Sequence, residues 1–385
     1  MIRKIGLTLA GLILFLGLAA AVTYLSTMPE PVADGAESEN WLQPGPYNVA
    51  SAELVFIDES RATAENNGYP ATASRVFPTT IWYPNLYPKD SRVKHPLIIH
   101  SHGFVSSRND LGYAAEHLAS YGYVVVAADF PLTSGSTPGG PNANDLINQP
   151  TDISFLIDSI LNLSAEEKPF DGEIDNSRIG LMGYSLGGIT TTLATYHPRL
   201  RDQRIAAAIS IAGPSVGLSS KFYQTTDIPF LMIAGTLDAL IDFQTNAAII
   251  PRRVGNSALL GITGGSHLGF AGISEPLLRF MQHPDGIGCD AVLSNLNEAP
   301  NTTLLALGTE ADGIYLEPDA PGVCETMPTQ QALHPGRQQM ITQIAVLAFF
   351  ESVFADETAR REAAMLELSE SLAADLQEAS YTASY

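Results

Sequence analysis

The run Gly183-Tyr184-Ser185-Leu186-Gly187, followed by Gly188, could hold a serine nucleophile. It follows the apolar stretch Arg178-Ile179-Gly180-Leu181-Met182 and opens a helix-length segment, the strand-turn-helix setting that a G-x-S-x-G nucleophile requires. A serine on so sharp a turn has a strained backbone, and a Cβ two residues to either side would strike the adjoining strand or helix. Small residues are therefore needed at 183 and 187. The turn also aims the N–H of Leu186, at the start of the helix, toward developing negative charge. A serine hydroxyl is a poor nucleophile at neutral pH, so a base must take its proton and a carboxylate must hold that base in the right tautomer. Downstream, the apolar run 229–235 leads into Thr236-Leu237-Asp238, and the run 258–263 leads into Gly264-Gly265-Ser266-His267. Ser185, His267 and Asp238 are the expected nucleophile, base and orienting carboxylate. Asp242 could replace Asp238, and either aspartate could instead cap the helix that follows.

The other histidines fit the role of base less well. His95, His100, His102 and His117 precede the serine, His197 closes its helix, and His283 and His334 lie farther on. His267 stands on a glycine-rich loop straight after the last strand. A second amide donor for an oxyanion is expected from the loop after the run 96–101, where His102-Gly103-Phe104 offers the N–H of Phe104. Gly103 permits close backbone approach, and His102 reads as a hydrogen-bonding brace of that loop. Metal ligation by His100 and His102 is a weaker reading.

These groups need a frame that brings them together. Short apolar, β-branched runs occur at 53–57, 79–83, 96–101, 123–128, 178–183, 205–211, 229–235 and 258–263. Several are continuously apolar, as in strands covered on both faces. Helix-length stretches separate the later ones, so the expected fold is α/β: a mostly parallel sheet with an antiparallel N-terminal edge and helices on both faces. The candidate groups then sit at the carboxyl ends of parallel strands, where ligands collect. Residues 48–356 form the expected domain, with 268–335 as an insertion rich in Gly, Pro and Asn. At 357–385, Met365, Leu368, Leu372 and Leu376 recur at three- and four-residue spacings, which predicts an amphipathic helix and a tail.

The runs HSHGF, LASYGYVVVAADFP, TDISFLID, GLMGYSLGG, AGTLD and GGSHLGF, with the order Ser185, Asp238, His267, resemble the α/β-hydrolase superfamily. Within it they are similar to the branch of platelet-activating-factor acetylhydrolases, dienelactone-hydrolase-like proteins and cutinase-type polyester hydrolases. The resemblance spans roughly 54–272. It implies a serine carboxylic-ester hydrolase without metal or organic cofactor, with Phe104 and Leu186 lining the oxyanion hole. Dienelactone hydrolases proper carry a cysteine where this chain has Ser185, which argues against their substrate. The segment 212–228 leaves no room for a large helical cap, so an open site is expected. Its apolar neighbours Phe130, Leu132, Leu240, Leu268 and Phe270 suggest short to medium neutral esters. The alternatives are a polyester or acetyl-phospholipid-like lipid hydrolase and, from another class, a non-catalytic binding or adhesion scaffold.

Composition sets the partners and the compartment. With 45% hydrophobic residues, 16% charged residues and a formal net charge of −21, the chain is globular and acidic. Its surface repels phosphate backbones, which argues against nucleic acid. Arg3 and Lys4 precede the apolar segment 5–25, which could span a bilayer as an anchor or serve as a signal peptide cleaved near Ala19 and Ala21. Residues 1–28 are read as that signal and 29–47, rich in Pro, Glu and Gly, as a linker. Either signal exports the domain to the periplasm, the outer face of a membrane or the medium. Cys289 and Cys324 are the 2 cysteines. In an exported chain they are expected to form a disulfide.

Overall fold

The computed structural model describes residues 27–296 and 300–384, together with residues 17 and 24. Apart from those two positions and residues 27–28, the segment expected to be a signal peptide or membrane anchor lies outside the described residues. Among the described residues no helix is long and apolar enough to cross a membrane.

In chain order run α1 (Glu37–Leu42), β1 (Asn48–Asp58), β2 (Arg75–Asn85), β3 (Lys94–Ser101), α2 (Gly112–Ser120) and β4 (Val124–Ala128). Next come α3 (Gln149–Leu161), β5 (Glu173–Tyr184), α4 (Leu186–Tyr196), β6 (Ile205–Ile211), β7 (Phe230–Gly235) and β8 (Ser257–Ile262). The chain ends with α5 (Asp285–Leu293), α6 (Pro300–Leu307), α7 (Pro335–Phe354), α8 (Thr358–Leu366) and β9 (Ala379–Ala383). The strands form one sheet in the order β1-β2-β4-β3-β5-β6-β7-β8-β9. β1, β2 and β4 pair antiparallel, β4 through β8 in that spatial order pair parallel, and β9 closes the far edge antiparallel to β8. This is the expected α/β-hydrolase architecture.

The continuously apolar runs follow from burial on both faces. Leu97, Ile99, Val126 and Leu181 pack with Ile153 and Leu156 of α3 and Leu193 of α4. Ile98, Val125, Met182 and Leu231 point the other way, onto Leu118 of α2 and Ile341 and Phe350 of α7. Successive strand residues alternate between the two layers, so none of the three residues at 97–99 is left to face water.

The periphery shows how the segments outside the sheet are held. The segment 29–47 lies along the domain: Val32 and Trp41 are buried, the Arg360 guanidinium sits 3.9 Å from the Trp41 ring centroid, and Ser38 Oγ donates to Glu367 Oε1 at 2.5 Å. Two apolar anchors suffice to dock a stretch whose average composition is that of a tether. The amphipathic helix expected at the C-terminus packs on the domain, and the tail after it supplies a strand. After α8 a π-helical turn at Glu367–Ser371 changes the facing, Leu368, Leu372 and Leu376 are buried while Met365 is exposed, and β9 joins the sheet. The insertion is helical where Asp285–Leu293 and Pro300–Leu307 form α5 and α6.

Candidate active site

Ser185 sits between β5 and α4 at φ +56° and ψ −119°, in the sparsely populated positive-φ region. Its amide donates to the Ile211 carbonyl at the end of β6 at 2.8 Å, so the neighbouring strand holds the strained turn. A Cβ at 183 would run into the Gly187 carbonyl, and one at 187 into the Ser101 carbonyl at the end of β3. Glycine at these two positions lets α4 begin against the sheet edge. As the first residue of α4, Leu186 has an N–H outside the intrahelical ladder.

The loops after β7 and β8 bring the expected partners to this serine. His267 Nε2 lies 2.8 Å from Ser185 Oγ. On the other side of the ring, Nδ1 lies 2.7 Å from Asp238 Oδ2. The ring therefore carries its proton on Nδ1 toward the carboxylate and presents the Nε2 lone pair to the hydroxyl. Asp238 Oδ1 accepts the N–H groups of Leu240 at 2.9 Å and Ile241 at 2.8 Å, which fixes the carboxylate plane. Burial alone would lower the His267 imidazole. The Asp238 carboxylate, with a smaller contribution from Asp285, outweighs burial and raises it above the ordinary value near 6.5. Burial pushes the Asp238 carboxyl up, and His267 pulls against that shift. Asp242 faces elsewhere, its Oδ1 accepting the Thr245 N–H at 2.8 Å as a helix cap.

The loop carrying Phe104 is held on both sides of that residue. Gly103 N–H donates to Asp110 Oδ2 at 2.9 Å, and Val105 N–H donates to the Thr133 carbonyl at 3.1 Å. His102 is the expected brace. Its Nδ1–H donates to the Gly103 carbonyl at 2.7 Å, and its Nε2 accepts the Phe130 N–H at 3.0 Å. Burial lowers its imidazole, which suits a neutral ring that both donates and accepts. His100 Nε2 lies 2.6 Å from Asp110 Oδ1, so His100 and Gly103 share one carboxylate.

The expected substrate lining divides. Phe104, Leu186 and Leu268 are half-buried. Phe130 and Phe270 are fully buried in opposite core layers, and Leu132 and Leu240 are also buried. Their closeness in sequence to the motifs reflects the packing that supports the loops rather than an open surface. Cys289 and Cys324 are joined with Cα atoms 5.7 Å apart. The bridge packs against Ala239, Leu240 and Leu268, beside the loops carrying Asp238 and His267.

Sequence reasoning missed the side chains that hold the His267 loop. Gln338, on buried α7, accepts the Ser266 N–H at 3.0 Å and donates to the Ser266 carbonyl at 2.8 Å. The Tyr184 hydroxyl donates to the His267 carbonyl at 3.0 Å. Asp285, on α5, accepts the His267 N–H at 2.9 Å. Polar residues in an otherwise apolar helix, such as Gln338 and Gln339 in α7, are the one sequence signal that could have drawn attention to them.

The chain matches the family model described as PET hydrolase-like over residues 59–281. It is 26% identical over 255 residues to a cutinase of Thermobifida fusca (strain YX), covering 65% of this chain and 75% of the relative. It is 25% identical over 226 residues to cutinase 1 of Thermobifida cellulosilytica, covering 57% of this chain and 76% of the relative. Among solved structures it is similar to a ferulic acid esterase from Streptomyces cinnamoneus. That match has a TM-score of 0.53 at 19% identity and covers 82% of this chain and 96% of the other. The family match spans more than half of the chain and takes in Ser185, Asp238 and His267: the chain belongs to the PET hydrolase-like family of α/β-hydrolases.

Proposed function

We propose that the protein is an exported serine carboxylic-ester hydrolase acting on short to medium neutral esters. The observation that carries this reading is the continuous relay from Ser185 Oγ through His267 to Asp238, with links of 2.8 and 2.7 Å. Ser185 Oγ attacks the ester carbonyl as its proton passes to His267 Nε2. The N–H groups of Phe104 and Leu186 receive the oxyanion, and Asp238 stabilises the imidazolium. His267 then protonates the departing alcohol. A water molecule, deprotonated by His267, attacks the acyl-enzyme, and its collapse releases the acid and restores Ser185. Export is supported by the paired cysteines and by the basic-flanked apolar segment at the N-terminus.

Replacing Ser185 by Ala should lower hydrolysis of a short p-nitrophenyl ester by roughly 10⁴-fold or more, with the circular dichroism spectrum unchanged. Activity retained in that variant would end the reading. A second reading, a polyester hydrolase, is favoured by the apolar residues that follow His267, since Ile273 is 60%, Leu277 63% and Phe280 57% exposed. Release of soluble acid from a polyester film, compared with turnover of the soluble ester, separates the two.

A further inference from the structure

Asp285 is fully buried, yet it belongs to neither the relay nor the oxyanion loop. Its Oδ2 accepts the N–H of Ala239 and the N–H of His267, both at 2.9 Å, and its Oδ1 accepts the N–H of Leu268 at 2.8 Å. One carboxylate thus ties the residue after Asp238 to His267 itself and to the residue after it. Asp285 is the first residue of α5. Cys289 lies one helical turn farther on and presses the disulfide onto Ala239, Leu240 and Leu268. The inserted segment therefore grips the two loops at two places, by a carboxylate and by an apolar bridge.

We propose that Asp285 is a positioning residue for this site, fixing the separation of the Asp238 and His267 loops and adding a second negative charge within reach of the imidazole. The proposal rests on the esterase reading above. During acylation the proton moves from Ser185 Oγ to His267 Nε2, and the ring becomes a cation. A second fixed carboxylate favours that cation without taking a proton from it. The groups facing the imidazole and Asp285 are few. Asp238 bonds the ring, the Tyr184 ring lies tilted against it with centroids 5.1 Å apart, and His283 Nδ1 stands 3.9 Å from Asp285 Oδ2. That is too long for a hydrogen bond, and His283 Nε2 is engaged by the Leu237 carbonyl at 3.1 Å. Asp285 also contributes to raising the His267 imidazole.

The test compares Asp285→Asn, which keeps the shape, removes the charge and turns an amide NH2 toward at least one of the N–H donors, with Asp285→Glu, which keeps the charge and moves it. Both are assayed as the full chain against the parent and Ser185→Ala. For Asp285→Asn the acid limb of the kcat/KM profile should move to lower pH by on the order of half a unit, with kcat reduced about tenfold. For Asp285→Glu the limb should stay with the parent's while kcat falls. If Asp285→Asn keeps the parent's limb, or if its loss of kcat merely follows a loss of Tm, the proposal is overturned. Failure of both variants to fold would overturn it too, by making the carboxylate a requirement of folding. An inactive parent, or an active Ser185→Ala, would bring down the esterase reading and this role with it. An active parent with an unmoved Asp285→Asn limb removes this role alone.

Discussion

Asp238 and Asp242 stand four residues apart, yet their carboxylates meet different partners. Asp238 bonds the His267 ring at 2.7 Å, and Asp242 caps a single helical turn through the Thr245 N–H at 2.8 Å. Sequence spacing could not separate them, because both follow the same strand and both could precede the same helix. Their variants should separate them. Asp238→Asn would offer Nδ1 a donor in place of an acceptor, turn the ring to the wrong tautomer and, on the proposed mechanism, lower kcat by about 10⁴-fold, the size of effect that changing a triad aspartate has in serine proteases. Asp242→Ala should leave kcat unchanged and cost about 1 kcal/mol of stability for the lost cap. Ester kinetics and urea unfolding of the two proteins check both statements. The pH profile belongs to the same scale. The His267 ring must be unprotonated to accept the serine proton, and its Asp238 partner raises it above the ordinary value near 6.5. kcat/KM should therefore climb with rising pH through a midpoint above 6.5. A midpoint well below that value would contradict the electrostatic account of the ring.

The loops that carry these side chains are fixed by elements of differing visibility. β5, the Ser185 turn and α4 announce themselves, because glycine spacing and an apolar run are local demands of local geometry. The loop ends after β7 and β8 were legible for the same reason, and all eight apolar runs became strands. The brace from α5 was not legible: Asp285 reads as one acidic residue among 41, and its three N–H partners come from residues far from it in the chain. The buried positions of Phe130 and Phe270 were hidden likewise, since the same aromatic beside a motif fits a cleft or a core, and only packing decides. The disulfide was readable as a pairing but not as a support for the loops. Its removal tests that placement. Cys289→Ser with Cys324→Ser frees a crosslink spanning 35 residues, and on the loop-entropy relation this costs about 3–4 kcal/mol. Because the bridge packs on Leu240 and Leu268, kcat should fall as well, by more than a comparable destabilisation elsewhere would cause. Calorimetry and ester kinetics on the oxidised parent and the double variant measure the two effects, and a lowered Tm with unchanged kcat would show that the bridge does not steady the site.

Over the whole molecule, the N-terminal segment and the helical stretch before β9 both fold onto the α7 side of the sheet. Trp41 packs in the same layer as Leu118 of α2, Phe350 of α7 and Leu368 beyond α8, and Arg337 of α7 donates to the carbonyls of Glu30 and Pro31. A composition window averaged over 29–47 cannot register two anchors, and the short sequence of β9 carries no apolar run because only Ala379 of its residues is buried. The contact between α2 and the N-terminal segment includes a titratable group. His117 Nε2–H donates to the Trp41 carbonyl at 2.8 Å, its ring meets Tyr121 edge-on, and Arg360 lies over both Trp41 and Tyr121. Burial, only partly opposed by that hydrogen bond, lowers the His117 imidazole to about 4 from 6.5. The sign follows from which state binds the proton first. Below 6.5 the unfolded chain takes up a proton that the folded one refuses until about 4, so acidification across that interval drains stability. The difference amounts to roughly 2–3 kcal/mol by pH 4.5. His117→Gln can still donate to the Trp41 carbonyl but cannot be protonated. Its unfolding free energy, measured in urea at pH 7 and at pH 4.5, should fall less than the parent's by about that amount, and two parallel declines would show that the ring is not a buried neutral imidazole holding the N-terminal segment in place.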